Sequence, residues 1–149
     1  MDTVHKTEKQ SVYSFERISN GISVSVTPIF IDQESRPEDH FYLWAYQVRI
    51  ENKGLDTIRI LDREWSVVDA RGMQKLISGT GVFEDRPILK PGDAFEYTNT
   101  IPLSTTSGLM SGKYALESTP ENSAFEKNIL EVEAPAFSLD SPYEPALKH

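Results

Sequence analysis

An antiparallel β-sandwich of seven or eight strands is the fold the sequence predicts, on three observations. Apolar residues recur with period two along several short segments. Gly, Pro and Asn punctuate those segments at regular spacing. No amphipathic helical stretch of about ten residues or more interrupts them.

Ile22, Val24 and Val26 alternate with Ser23, Ser25 and Thr27, which puts one side of a strand on a core and the other in water. The strand continues from Pro28 to Ile31. Because proline has no N–H for the ladder, this stretch is expected at a sheet edge or a bulge. Beyond a polar segment from Asp32 to His40, Phe41 to Glu51 resumes the alternation. Tyr42, Trp44, Tyr46, Val48 and Ile50 share one side, the pattern of a central strand. Asn52, Lys53 and Gly54 then supply turn chemistry. Thr57 to Ala70 alternates again but changes face near Leu61, where Ile58 and Ile60 give way to Leu61, Trp65 and Val67, so a bulge or a strand that changes sheets is expected there. Arg71 and Gly72 turn the chain into a short strand ending at Ile77. Pro91 and Gly92 introduce another with Phe95, Tyr97 and Ile101 inward. Tyr114 and Leu116, then Ile129, Leu130 and Val132, mark the last two. The domain is expected over residues 21–140, with a flexible arm over 1–20 and a tail over 141–149.

Composition narrows the function classes. The net charge is −8, with 23 acidic against 15 basic residues and no run of Lys or Arg, so nucleic acid is not an expected ligand. The absence of cysteine removes disulfides, thiolate nucleophiles and zinc-thiolate sites, and fits a reducing compartment. It also removes the immunoglobulin cystine, leaving an all-β, fibronectin type III or immunoglobulin-like sandwich that needs none. Met1 to Glu16 holds no apolar signal-peptide core, and no apolar run reaches the roughly 20 residues of a membrane span. A cytoplasmic location without membrane contact is the expectation.

Several motifs follow one another in a set order. Phe41, Leu43, Trp44, Ala45 and Tyr46 close at Asn52. Leu61, Arg63, Trp65, Val67, Asp69 and Gly72 come next, then Gly79, Gly81, Val82, Pro87, Leu89, Pro91, Gly92, Phe95, Tyr97 and Thr98. Gly108, Met110, Gly112, Tyr114 and the run Pro135 to Pro142 complete the series. On these residues, about Gly21 to Pro142, the chain resembles the ApaG (DUF525) domain. The resemblance implies a fibronectin type III-like sandwich with no established enzymatic activity. It also implies a bacterial link to cobalt tolerance and magnesium efflux, and a recognition role in the eukaryotic proteins that carry the domain.

Two loops are candidate sites. Gly79, Thr80 and Gly81 stand where the family shows Gly-x-Gly-x-x-Gly, but the third glycine is replaced by Glu84, followed by Asp85. Phosphate-binding loops need backbone N–H groups and a following helix N-terminus. Two carboxylates and Pro87 stand here instead, so a glycine-supported turn, or an exposed contact loop, is the reading. Asp32, Glu34, Glu38, Asp39 and His40 form the other candidate. Carboxylates suit Mg²⁺ and imidazole suits Co²⁺ or Ni²⁺, yet the spacing matches no EF-hand, which needs a mid-loop glycine, and a solvated acidic loop is expected. The strand aromatics are read as core, and Arg63 as structural, paired with an acid or stacked on an aromatic ring. Catalytic parts are sparse: His5 and His149 lie near the termini, and His40 has no identifiable serine partner. The expectation is a non-enzymatic, cofactor-free module, monomeric or homodimeric, that binds a protein partner whose identity the sequence does not reveal. Sensing of a weakly held divalent cation or a nucleotide phosphate, through the Gly79–Gly81 loop or the 32–40 loop, is the alternative.

Overall fold

Two antiparallel sheets face each other with the alternating apolar residues between them. They are seen in a computed structural model that describes residues 13–81, 83–123 and 125–143. Along the chain the strands are β1 (Phe15–Ser19), β2 (Ile22–Phe30), β3 (Tyr42–Asn52), β4 (Thr57–Asp69), β5 (Gln74–Gly79), β6 (Ile88–Leu89), β7 (Ala94–Leu103), β8 (Ser107–Thr119), β9 (Asn128–Glu133) and β10 (Phe137–Asp140). One sheet has the order β1-β2-β3-β7. The other has the order β10-β8-β4-β5, with β6 also paired to β4 and β9 to β8.

Ten strands are present among the described residues, where seven or eight were expected. The additions are β1, β10 and the two-residue β6. β1 lies inside the segment expected as an arm. It pairs from Phe15↔Val26 to Ser19↔Ile22 across a two-residue turn whose Asn20 and Gly21 both have positive φ, 52° and 76°. Asn-Gly is the residue pair that such a tight hairpin favours. At the other end Tyr143 packs on Phe30 and Tyr42, with ring centroids 6.0 and 6.1 Å apart. Residues 1–12 and 144–149, with His5 and His149, lie outside the described residues.

β3 is central, and its alternation is realised in full: Tyr42, Trp44, Tyr46, Val48 and Ile50 are all buried. Pro28 sits where β2 has run past the last β1 pair and forms the sheet edge, a place a residue without an N–H tolerates. The expected bulge is in β4, where the register with β8 slips between Ile60 and Asp62. Leu61 is the extra residue and is only half-buried, so the inward positions after the bulge are Arg63, Trp65 and Val67. An arginine therefore occupies a core position for which leucine was the expectation.

The two sides of the sandwich close differently. On one, β1 approaches β9 and β10: Phe15 stacks on Phe137 at 5.3 Å and Arg17 pairs with Glu133 at 2.9 Å. On the other, β7 and β5 are the outer strands, and the β5–β6 loop spans the gap between them. Its Phe83 enters the core against Phe95 and Tyr97, 5.9 and 5.5 Å between centroids.

Candidate functional site

The Gly79–Gly81 loop is built around the buried Arg63. Gly79 ends β5 at φ +101° and Gly81 follows at φ +61°, a left-handed conformation. The Nη1 of Arg63 donates to the Gly79 carbonyl at 3.1 Å, and a Cβ placed on Gly81 would stand 2.3 Å from both Cζ and Nη1. Close approach of a guanidinium, rather than of a phosphate, is what the second glycine permits. Beyond it the chain turns twice, through Phe83 N–H to the Thr80 carbonyl (3.1 Å) and Arg86 N–H to the Phe83 carbonyl (2.8 Å). No helix follows among the described residues, and Glu84 and Asp85 are exposed. Thr80 is half-buried, and Val82 lies outside the described residues.

Arg63 is 6% exposed and has no carboxylate within ion-pair distance among the described residues. Its Nε and the hydroxyl of Tyr46 are buried without a hydrogen-bond partner of good geometry. Burial pushes the Tyr46 phenol up, and the Arg63 charge beside it works in the opposite direction. Behind it, the Tyr97 and Tyr114 hydroxyls bond to each other and Trp65 Nε1 donates to the Tyr114 oxygen at 3.2 Å. Burial raises Tyr97 from 10.0 to about 12 and Tyr114 well above its ordinary value. These phenols are therefore protonated hydrogen-bonding groups near neutral pH, which fits a rigid polar centre rather than an acid–base pair.

The acidic loop does not gather its side chains. Asp32 and Glu34 lie on one 3₁₀ turn (Asp32–Glu34), and Glu38 and Asp39 on another (Pro37–Asp39). His40 ends the second in a left-handed conformation, φ 54°. The Tyr143 hydroxyl donates to Asp32 at 2.7 Å, and Asp39 lies 3.4 Å from Arg36. Glu34 and Glu38 face solvent, and no three His, Asp or Glu side chains converge in metal-binding geometry among the described residues.

A surface the sequence reasoning passed over lies beside β5. Among the described residues the strand is paired only to β4, so the N–H and C=O groups of its outer edge have no strand partner there. Leu76 on the strand is 59% exposed, and Met73 just before it is 68% exposed. At its start a groove of about 340 Å³ opens between the two sheets, floored by Phe41, Val67, Pro102 and Leu103 with His40 and Lys75 at its rim. Asp69 also lines it, but its carboxylate accepts the N–H groups of Arg71 and Met73, both at 2.9 Å. Those bonds hold its pKa below the usual carboxylate value. The signal that could have found this surface is the run Met73–Ser78, where a charge and exposed apolar residues are mixed in a strand too short and polar to be buried on both sides.

A family model described as the ApaG domain matches residues 32–118, more than half of the chain. Among curated relatives, the "Protein ApaG" of Rhodospirillum centenum is 45% identical over 129 residues, covering 87% of this chain and 95% of the relative. That of Parvibaculum lavamentivorans is 41% identical over 135 residues, covering 91% and 99%. A solved structure of a Bordetella pertussis protein described as ApaA superposes with a TM-score of 0.73 at 35% identity, covering 83% of this chain and 95% of that one.

Proposed function

This chain belongs to the ApaG domain family, and from that premise we propose that it is a non-catalytic recognition domain that presents a sheet edge and loops to a protein partner. The observation that carries the reading is the outer edge of β5, unpaired among the described residues and flanked by exposed Met73 and Leu76. The buried polar centre supports it: Arg63 and the tyrosines hold the β5–β6 loop in place and offer no nucleophile with an adjacent base. No helix among the described residues is long and apolar enough to cross a membrane.

The test is capture from native extract on the immobilised full chain, competed with free chain, then reconstitution of the complex from two purified components. A reconstituted complex supports the reading, and repeated failure to rebuild any complex overturns it. Metal or nucleotide sensing, the reading that follows from a cobalt and magnesium link, is examined by isothermal titration with Co²⁺, Mg²⁺ and ATP. The expected result is no saturable heat at millimolar ligand, in keeping with the dispersed acids of the 32–40 loop and the exposed carboxylates of Glu84 and Asp85.

A further inference from the structure

We infer that the occupant of the β5 edge is an extended peptide segment carrying an acidic side chain next to apolar ones: it adds to the sheet as a strand, sets its carboxylate on Lys75 and lays an apolar side chain in the groove behind. The inference rests on the recognition reading and deepens it by naming the partner's chemistry.

Register places Lys75 opposite Val67, a core residue, so Lys75 projects on the face of β5 that looks toward the other sheet. Inward-pointing charge on an edge strand is a device against indiscriminate strand pairing, because an approaching strand must answer that charge or bury it unpaired. Lys75 makes no ion pair among the described residues, and the other basic group at the groove is His40. The one carboxylate lining the groove, Asp69, is committed to its own turn through Arg71, Met73 and the more distant Ser104 hydroxyl at 3.4 Å. A strand that pairs with β5 must therefore supply the counter-charge itself. Beside Lys75, the exposed area of the groove is mostly carbon, in a lining that includes Phe41, Val67, Met73, Pro102 and Leu103, which suits an aliphatic or aromatic side chain of the same segment. Backbone pairing supplies affinity without reading sequence, and Lys75 with the groove supplies the reading.

A second copy of this chain is a poorer occupant. β5 set against another β5 brings the uncompensated Lys75 of each edge into one interface, where neither supplies a counter-charge to the other.

The experiment pans a library of random twelve-residue peptides against the immobilised full chain and against its Lys75→Glu variant, whose melting curve checks that it folds. Synthetic copies of the selected peptides are then titrated into isotope-labelled protein. The wild-type chain is expected to select an Asp or Glu with apolar residues at alternating positions, and the variant to select Lys or Arg in its place. Wild-type peptides should bind the variant roughly tenfold more weakly, the scale of one partly screened ion pair turned to repulsion. Their amide shifts and slowed exchange should fall on β5 and the groove. Selection without an acidic preference, identical selections from both proteins, shifts centred elsewhere, or sedimentation showing a dimer closed through β5 would each overturn the inference. A complex reconstituted with the native partner that is indifferent to Lys75→Glu overturns the site assignment while leaving the recognition reading intact.

Discussion

Replacing Gly81 with alanine isolates what the buried arginine asks of its loop. Two costs add. A non-glycine residue at φ +61° carries roughly 1–2 kcal/mol of left-handed strain. The new methyl also lands 2.3 Å from Cζ and Nη1 of Arg63 and 2.6 Å from Nη2. On an exposed arginine that overlap would be trivial, since the side chain would swing away. Arg63 is 6% exposed and crowded by Tyr46, so yielding means giving up its bond to the Gly79 carbonyl, and a charged hydrogen bond contributes roughly 1.5–3 kcal/mol. The expected loss is about 2.5–5 kcal/mol, a large share of the roughly 5–15 kcal/mol that holds a domain of this kind. Gly72→Ala is the control: φ is +87°, but nothing lies within 4 Å of the added carbon, so only the strain of about 1–2 kcal/mol applies. Urea unfolding followed by the fluorescence of the two buried tryptophans, Trp44 and Trp65, measures both. Arg63→Met combined with Gly81→Ala should show a favourable coupling, because shortening the side chain removes the overlap. Equal losses for Gly81→Ala and Gly72→Ala, or zero coupling, would refute the account of the loop.

Three further outcomes follow from the core. Gly112→Ala puts a methyl 2.6 Å from Cδ2 and Cε3 of a fully buried indole, Trp65, and should cost roughly 1–3 kcal/mol as an overpacked site, read from the urea midpoint. Phe83→Ala removes the ring that pins the β5–β6 loop and should cost roughly 3–5 kcal/mol, with accelerated amide exchange confined to residues 79–87 before global unfolding. In alkali, the unfolded chain loses the Tyr97 proton near 10 whereas the folded one keeps it to about 12. Its contribution is constant below pH 10 and falls as pH rises to about 12, by roughly 3 kcal/mol. Phenolate absorbance should accordingly show the signals of Tyr97 and Tyr114 appearing only as the fold opens.

The alternation along β3 was legible because its inward residues from Tyr42 to Ile50 are all aromatic or branched aliphatic, and a period-two pattern needs no knowledge of the partner strand. At β4 the change of face was visible but its geometry was not. A bulge inserts one residue, and only the register against β8 shows that Leu61 is the extra one and that Arg63 turns inward. β1 escaped because Phe15, Glu16, Arg17 and Ile18 do not alternate in polarity, although the Asn20-Gly21 pair just behind them announces a tight hairpin. The two candidate loops were found as residues but not as arrangements: glycines look alike whether they admit a phosphate or a guanidinium, and clustered acids look alike whether they converge or diverge.

By itself the sequence determined the all-β class, most of the strands, the core aromatics and the family, since each of these follows from local alternation, turn residues and motif order. Tertiary structure alone decided that Arg63 lies beneath Gly81, that the acids of residues 32–40 disperse, and that β5 is left as an edge beside an apolar groove. The physical reason is that strand order and facing are settled by contacts between residues far apart in the chain, whose pairing no local period encodes.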